Sequence, residues 1–567
     1  MFVQIRNTGG TDYVYIVRSV REKGKKNPHQ ETVQCLGRLE DRIKEDPEYI
    51  KKLKEDLRKP EERVIVDLVC SKDRTESAVL IGNLPIEAAV ERIRLLKAFD
   101  GIEGKADYRI PDIARDLISE RILNPASKLA SYAGLSVGRL SAPEYRMHDV
   151  YRALQVIGKN MDGIVGSFSE ISRKGRETNI AYYDTTNFYF EIQQENGLKK
   201  YGISKEHRPN PIVQMGLFVD QDGFPIAMNV NPGSTGEALT AVPTQKIMSS
   251  HGIKSYIYCA DSGIGSGEIK KYNNITGRRY IVAQSIKRMS KTRMEWALSD
   301  SGWKDTKGNP VKSKKDCPKG SFIWKEDVFK LVIKKGGVKT EIAERTIVLY
   351  SEDTKKWQDM ILDEQIKRAM KKVEKGFTEN PNSPDRLVGV VKVTDDGEVA
   401  ENEVRSLDGE KIKDEKRFHG YYAISTNILA REMDSMDVIC INAGRWRVED
   451  YFKNMKSTVD SRPIFLQNDD SIRAHLLLCM MSVYVLMTIR AELGEKKIDA
   501  TPKQIQEAIQ GMQAIERKAG YELTNVSCEE QINIIRKGIE SIYGLESLEK
   551  EAILHKSMKA LIKKCRE

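Results

Sequence analysis

The sequence has no pair of cysteines spaced Cys-x-x-Cys. Its eight cysteines are scattered from Cys35 to Cys565, which argues against a zinc ribbon or a disulfide framework and for reduced, mostly buried thiols. It has no run of eighteen apolar residues, so no membrane span is expected. The opening MFVQIRNTGG lacks the basic start and apolar stretch of a secretory signal, which leaves the cytoplasm as the expected compartment. No internal repeat is present. The Gly-rich stretch GIGSG at 263–267 lacks the Lys-Ser/Thr that completes a phosphate-binding loop, and reads as a loop.

What is present is length and positive charge. A chain of 567 residues is too long for one ordinary domain. An apolar share of 40% and a charged share of 31% fit a folded, charge-rich protein. The formal net charge of +10 and pI near 8.9 suit a polyanionic partner.

Residues 1–60 alternate apolar and polar, then turn to a Lys/Glu-rich stretch. They read as a small antiparallel sheet with a basic turn, REKGKK, and a connector. Residues 61–175 recur apolar at helical spacing and read as a helical domain. At 176–289 the character changes. The strand NIAYYDTTNFYFEI, a hairpin turning at Gln221 to Gly223, and the strand KSYIYCAD follow the order of an RNase H-like α/β core. Residues 290–425 are Lys-rich with strand-like pieces and read as a β-rich insertion domain. Residues 426–495 would complete the core with the helix GRWRVEDYFKNMKSTV and a strongly apolar one, IRAHLLLCMMSVYVLMTIRAEL. Residues 496–567 read as a helical C-terminal domain.

Three carboxylates stand out. Asp184 sits inside an aromatic strand, where an ionised side chain is costly unless a metal or hydrogen bonds compensate it. Asp261 ends an apolar strand just before a Gly-rich loop, from which a carboxylate can project into a cleft. Turn capping is the plain alternative for either. At about 100° per residue, Arg445, Glu449 and Lys456 fall within roughly 40° of one another on one helix, beside the apolar stripe of Val448, Phe452, Met455 and Val459. A solvated salt-bridge row is the alternative there. Carboxylates on separate elements suit two Mg2+ or Mn2+ ions about 3.5 to 4 Å apart, which drive in-line displacement at a phosphodiester.

At these residues the chain resembles insertion-sequence transposases with an RNase H-like DDE core and a Tyr-x2-Arg-x3-Glu-x6-Lys signature. Arg445, Glu449 and Lys456 match that signature, and Asn442 replaces its tyrosine. The blocks YGISKEHRPNPIVQMGLFVDQDGFPIAMNVNPG, KSTVDSRPIF with IRAHLLL, YIVRSVREKGK with CLGRL, and RILNPASK resemble one long subgroup. The resemblance implies a metal-dependent transposase that cuts transposon ends and joins them to target DNA through a hairpin, with Asp184, Asp261 and Glu449 catalytic and metal-binding. Its partner would be double-stranded DNA, gripped by a homodimer at the nucleoid. Arg445, Lys456, Lys453, Lys205 and Arg208 are candidate DNA contacts, as are Arg21, Lys23, Lys25 and Lys26 in the basic turn and Arg121 and Lys128 in the helical part. Trp296, Trp303 and Trp324 are candidates to stack a displaced base, with a core role as the alternative. His207 is either a phosphate contact or a surface residue, and His475 reads as core. An RNase H-like nuclease that does not join, and a DNA-binding protein with dead chemistry, are the rival readings.

Overall fold

A computed structural model describes residues 2–8, 10–20, 29–58, 78–102, 108–137, 143–335, 338–375, 387–392, 403–517, 520–527 and 529–545. Arg21, Lys23, Lys25 and Lys26 lie outside the described residues. The chain forms two compact units, Met1–Ala78 with Ile515–Arg517, and Val79–Ala514 with Lys518–Glu567.

In the first unit, three strands, Phe2–Thr8, Thr11–Val20 and His29–Arg38, pair antiparallel in sequence order. Val14 and Val17 of the central strand are buried. Two short helices follow, Leu39–Glu45 and Tyr49–Arg58.

The second unit is built on a ten-stranded sheet. Its heart is five strands: Ile180–Tyr189, Ile212–Val219, Pro225–Pro232, Ile257–Ala260 and Arg279–Ala283. The first three run antiparallel, while the fourth and fifth run parallel to the first, in the order 3-2-1-4-5. This is the RNase H-like arrangement. The hairpin turns at Gly223, whose φ of +86° a residue with a side chain adopts only at a cost. A helix, Ala241–Ser250, makes the crossover to the parallel fourth strand.

Most of the 290–425 stretch joins the core sheet, and only the hairpin of Val388–Lys392 with Glu403–Leu407 pairs apart from it among the described residues. The long strands Ile323–Lys335 and Val338–Tyr350 pair with each other, and the second pairs with Tyr421–Thr426, which in turn pairs with Arg279–Ala283. The fifth core strand would otherwise expose an open edge, and these strands cover it. The junction is fastened from within. Glu344, wholly buried, takes ion pairs from Lys270 and Arg293, each at 2.7 Å, and a hydrogen bond from Tyr280 at 3.0 Å. Such a network is costly to break because removing one partner strands a buried charge.

The helices at 83–172 likewise share one hydrophobic core with the sheet. They gather around Asp469–Glu495, which packs against Met147–Lys159 and Ile110–Leu123. That helix is the only one among the described residues long and apolar enough to cross a membrane, and 83% of its apolar window is buried, as befits a core helix. The C-terminal segment departs from the all-helical expectation, because two strands, Met512–Arg517 and Gly520–Asn525, separate the helices Pro502–Gln510 and Glu530–Tyr543.

Candidate active site

The sheet register brings the first two carboxylates together. Tyr183 lies opposite Ala260 in the parallel pair, so Asp184 and Asp261 follow side by side where the fourth strand ends. Adjacent parallel strands ending at a cleft are where an α/β sheet presents functional groups. Asp184 is half-buried, and desolvation raises its pKa, with the Glu237 and Asp261 charges adding to the rise and Lys205 opposing it.

Glu237 is a carboxylate that sequence reasoning missed. It sits in the turn after the third strand and accepts a hydrogen bond from Thr185 at 2.9 Å. Lys205 bridges the pair, its ammonium 3.6 Å from both Asp184 and Glu237. Lys205 is thus placed on the carboxylates themselves, a closer role than the backbone contact expected of it.

The helix Trp446–Ser457 packs on the first strand and is tied to the long core helix by Tyr451, which donates to the Met480 carbonyl at 2.6 Å. Val448, Phe452 and Met455 are buried, so the expected apolar stripe is realised, while of the expected polar row Glu449 is exposed and Arg445 and Lys456 are partly buried in ion pairs. Arg445, at the N-cap, reaches Asp261 at 3.0 Å. Lys456 is mostly buried and pairs with Glu206 at 3.4 Å, a residue that Arg462 also binds. Arg208 lies over the Tyr189 ring at 4.0 Å and 3.8 Å from Glu206. The loop between the first two strands therefore folds across the Glu449 helix through Glu206.

Asn442, at the signature tyrosine's position, is buried and accepts from the Tyr422 hydroxyl at 2.8 Å. Arg445 donates to that same hydroxyl at 3.1 Å. A tyrosine from the strand Tyr421–Thr426 thus stands beside Arg445 although position 442 carries none, an arrangement that only tertiary pairing reveals.

Other expectations change. Arg121 and Lys128 are 5% and 6% exposed, recessed below the surface rather than presented on it. Trp303 and Trp324 are core residues, and half-buried Trp296 packs edge-on against Phe329. The exposed indoles are instead Trp357 and Trp446, each 58% exposed, and of the two Trp446 shares a stripe at i, i+3, i+7 with Glu449 and Lys453. It borders an open cleft of about 570 Å3 lined also by Arg447, Arg490 and Lys497. The stripe spacing was a usable signal in the sequence. His475 is buried and bonded to the Ser461 carbonyl, while His207 is exposed.

Among the described residues, no three His, Cys, Asp or Glu side chains converge closely enough to hold a metal ion as they stand, with Asp184 facing Lys205 and Asp261 facing Arg445. The donor set nonetheless fits a hard divalent cation. It is oxygen only, and it gathers Asp184, Glu237 and Asp261 where their mutual repulsion asks for positive charge.

The family model described as transposase DDE domain matches residues 177–486, more than half of the chain. The chain belongs to the DDE transposase family. A second model, the N-terminal domain of IS1634 family transposases, matches residues 2–64, which places the transposase among insertion-sequence enzymes. Among curated proteins, no match is found. As a DNA transposase the chain processes nucleic acid, and its family generally uses divalent metal ions.

Proposed function

We propose that this transposase excises its element by metal-dependent phosphodiester hydrolysis and joins the freed 3′ ends to target DNA, with Asp184, Asp261 and Glu449 as the catalytic, metal-holding carboxylates. The observation that carries this reading is the parallel register that sets Asp184 beside Asp261, with Arg445 linking Asp261 to the Glu449 helix. The three would hold two Mg2+ or Mn2+ ions, which supply activation of the attacking oxygen and stabilisation of the leaving one. With those carboxylates engaged by metal, Lys205 and Arg445, which now pair with them, would be free to hold the DNA phosphates. Exposed Lys453, with Lys456 and Arg208, extends that basic row.

Hairpin excision requires a base near the cut to leave the stack, at a cost of a few kcal/mol. Trp446, exposed one turn from Glu449, supports the reading that its ring receives that base. Recognition of the ends falls to the N-terminal unit and the helices up to about residue 175, and a homodimer pairs the two ends. The test is incubation of the full-length protein with its flanking DNA ends, a target plasmid and Mg2+ or Mn2+, followed by sequencing of the products. Joined products support the reading. Cut ends without joining would leave a nuclease.

A further inference from the structure

Arg121 and Lys128 pose a physical problem. Both are more than nine-tenths buried, and among the described residues neither is hydrogen-bonded or ion-paired to a carboxylate. Arg121 donates only to two carbonyls, those of Asp460 at 3.2 Å and Ala126 at 2.8 Å, and its Nε has no partner. Among the described residues the Lys128 ammonium makes no hydrogen bond. Burial, and after it the Arg121 charge, lowers the Lys128 pKa to about 7. An uncompensated buried cation is expensive, and two side by side more so.

Both residues line a small cavity of about 50 Å3 that opens between exposed Tyr151 and Phe465. That volume holds about three or four waters or one phosphate-sized anion. Lys128 also begins the helix Lys128–Val137, whose first-turn amides add positive potential at the same place. The cavity adjoins the turn that ends the Glu449 helix, through Asp460 and the 461–466 segment.

We infer that Lys128 and Arg121 form the floor of a phosphate-binding pocket, which a backbone phosphate of the bound DNA occupies between Tyr151 and Phe465. The bound group gains two charge-assisted contacts away from bulk water. Free inorganic phosphate offers the same chemistry and is the alternative source. The DNA source rests on the proposed path of DNA along the Glu449 helix; the phosphate site itself does not.

The test titrates sodium phosphate against chloride at constant ionic strength and follows the melting temperature of the full-length protein and of Lys128→Met. The wild type is expected to gain stability saturably with phosphate. The variant should start at or above the wild type without phosphate, since it removes an uncompensated charge, and should show no gain. Lys128→Gln serves the same reading if the Met variant folds poorly. Phosphate-ethylation interference on end DNA then separates the sources. A phosphate whose ethylation blocks wild-type binding but no longer matters in Lys128→Met marks DNA, and an unchanged footprint with an intact phosphate response marks the free ion. An equal phosphate response in wild type and variants, or none in the wild type, overturns the site. Asp184→Asn, whatever its own melting temperature, should keep the phosphate-dependent gain and the ethylation footprint, so failure of the proposed chemistry and failure of this pocket are told apart.

Discussion

Two charged clusters within one folded unit are opposite in balance. At the sheet, Asp184, Glu237 and Asp261 gather with two cations set on them, Lys205 and Arg445. Beside the end of the Glu449 helix, Arg121 and Lys128 are buried with no carboxylate bonded to either among the described residues. A fold whose interest was stability alone would neutralise both. On the proposed reading the first cluster is held ready for added positive charge and the second for added negative charge, as an enzyme requires when it binds metal ions and a polyanion together.

The largest expected break in this comparison comes from neutralising the first cluster. Asp184→Asn, Asp261→Asn and Glu449→Gln should each lower cleavage by about a thousandfold or more, since a loss of about 4 kcal/mol of transition-state stabilisation corresponds to that factor. End binding should survive, because it depends on Lys and Arg contacts to phosphate. End-labelled DNA on denaturing gels reads the first, and filter binding the second. Asp184→Asn should also raise the melting temperature at neutral pH. The raised pKa of Asp184 means that the folded state favours its protonated form, so stability falls as pH climbs from the unfolded pKa through the folded one, and a neutral side chain escapes that loss.

Glu237→Gln sharpens the same side. As a neighbour of Asp184 that Thr185 and Lys205 hold in place, it should cost about 10- to 100-fold in rate or metal affinity, seen as a higher Mn2+ concentration for half-maximal cleavage. Trp446→Ala should lose about 1 to 3 kcal/mol of stacking on a displaced base and lower hairpin yield more than first-strand nicking, with Trp446→Phe intermediate. 2-Aminopurine fluorescence at the end positions would report the lost stacking.

What the sequence made legible follows from how local each signal is. Asp184 in its aromatic strand, Asp261 at its strand end and Glu449 beside an apolar stripe are readable because alternation and helical period are local properties. Glu237 was not readable, since it reaches the site only through the fold that sets its turn against Thr185. The strands at 323–350 looked like strands, but their partner, Tyr421–Thr426, lies more than seventy residues on, and pairing at that distance has no local trace. Arg121 and Lys128 read as surface cations because charge is the usual mark of exposure. Their helices are surrounded by the core, so the rule fails for them. Three tryptophans of the 290–350 stretch drew attention by proximity in sequence, whereas burial decides which ring can stack.

On the second cluster a smaller effect is expected. Lys128, depressed to about 7, binds fewer protons folded than unfolded between that pH and the ordinary lysine value. Wild-type stability should therefore rise with pH across this window, and the Lys128→Met difference should shrink as pH rises. Arg121, His475, Cys479 and Tyr151 surround Lys128. His475 is held neutral by burial, so the wild-type minus variant slope isolates the lysine. Denaturant melts at pH 7, 8, 9 and 10 measure it.

The most direct test of the central claim is Mn2+ titration of the full-length transposase bound to its DNA ends, with bound ion counted by electron paramagnetic resonance. The account predicts two ions per active site in the wild type and fewer in each of Asp184→Asn, Asp261→Asn and Glu449→Gln. Two ions retained in all three variants would contradict it.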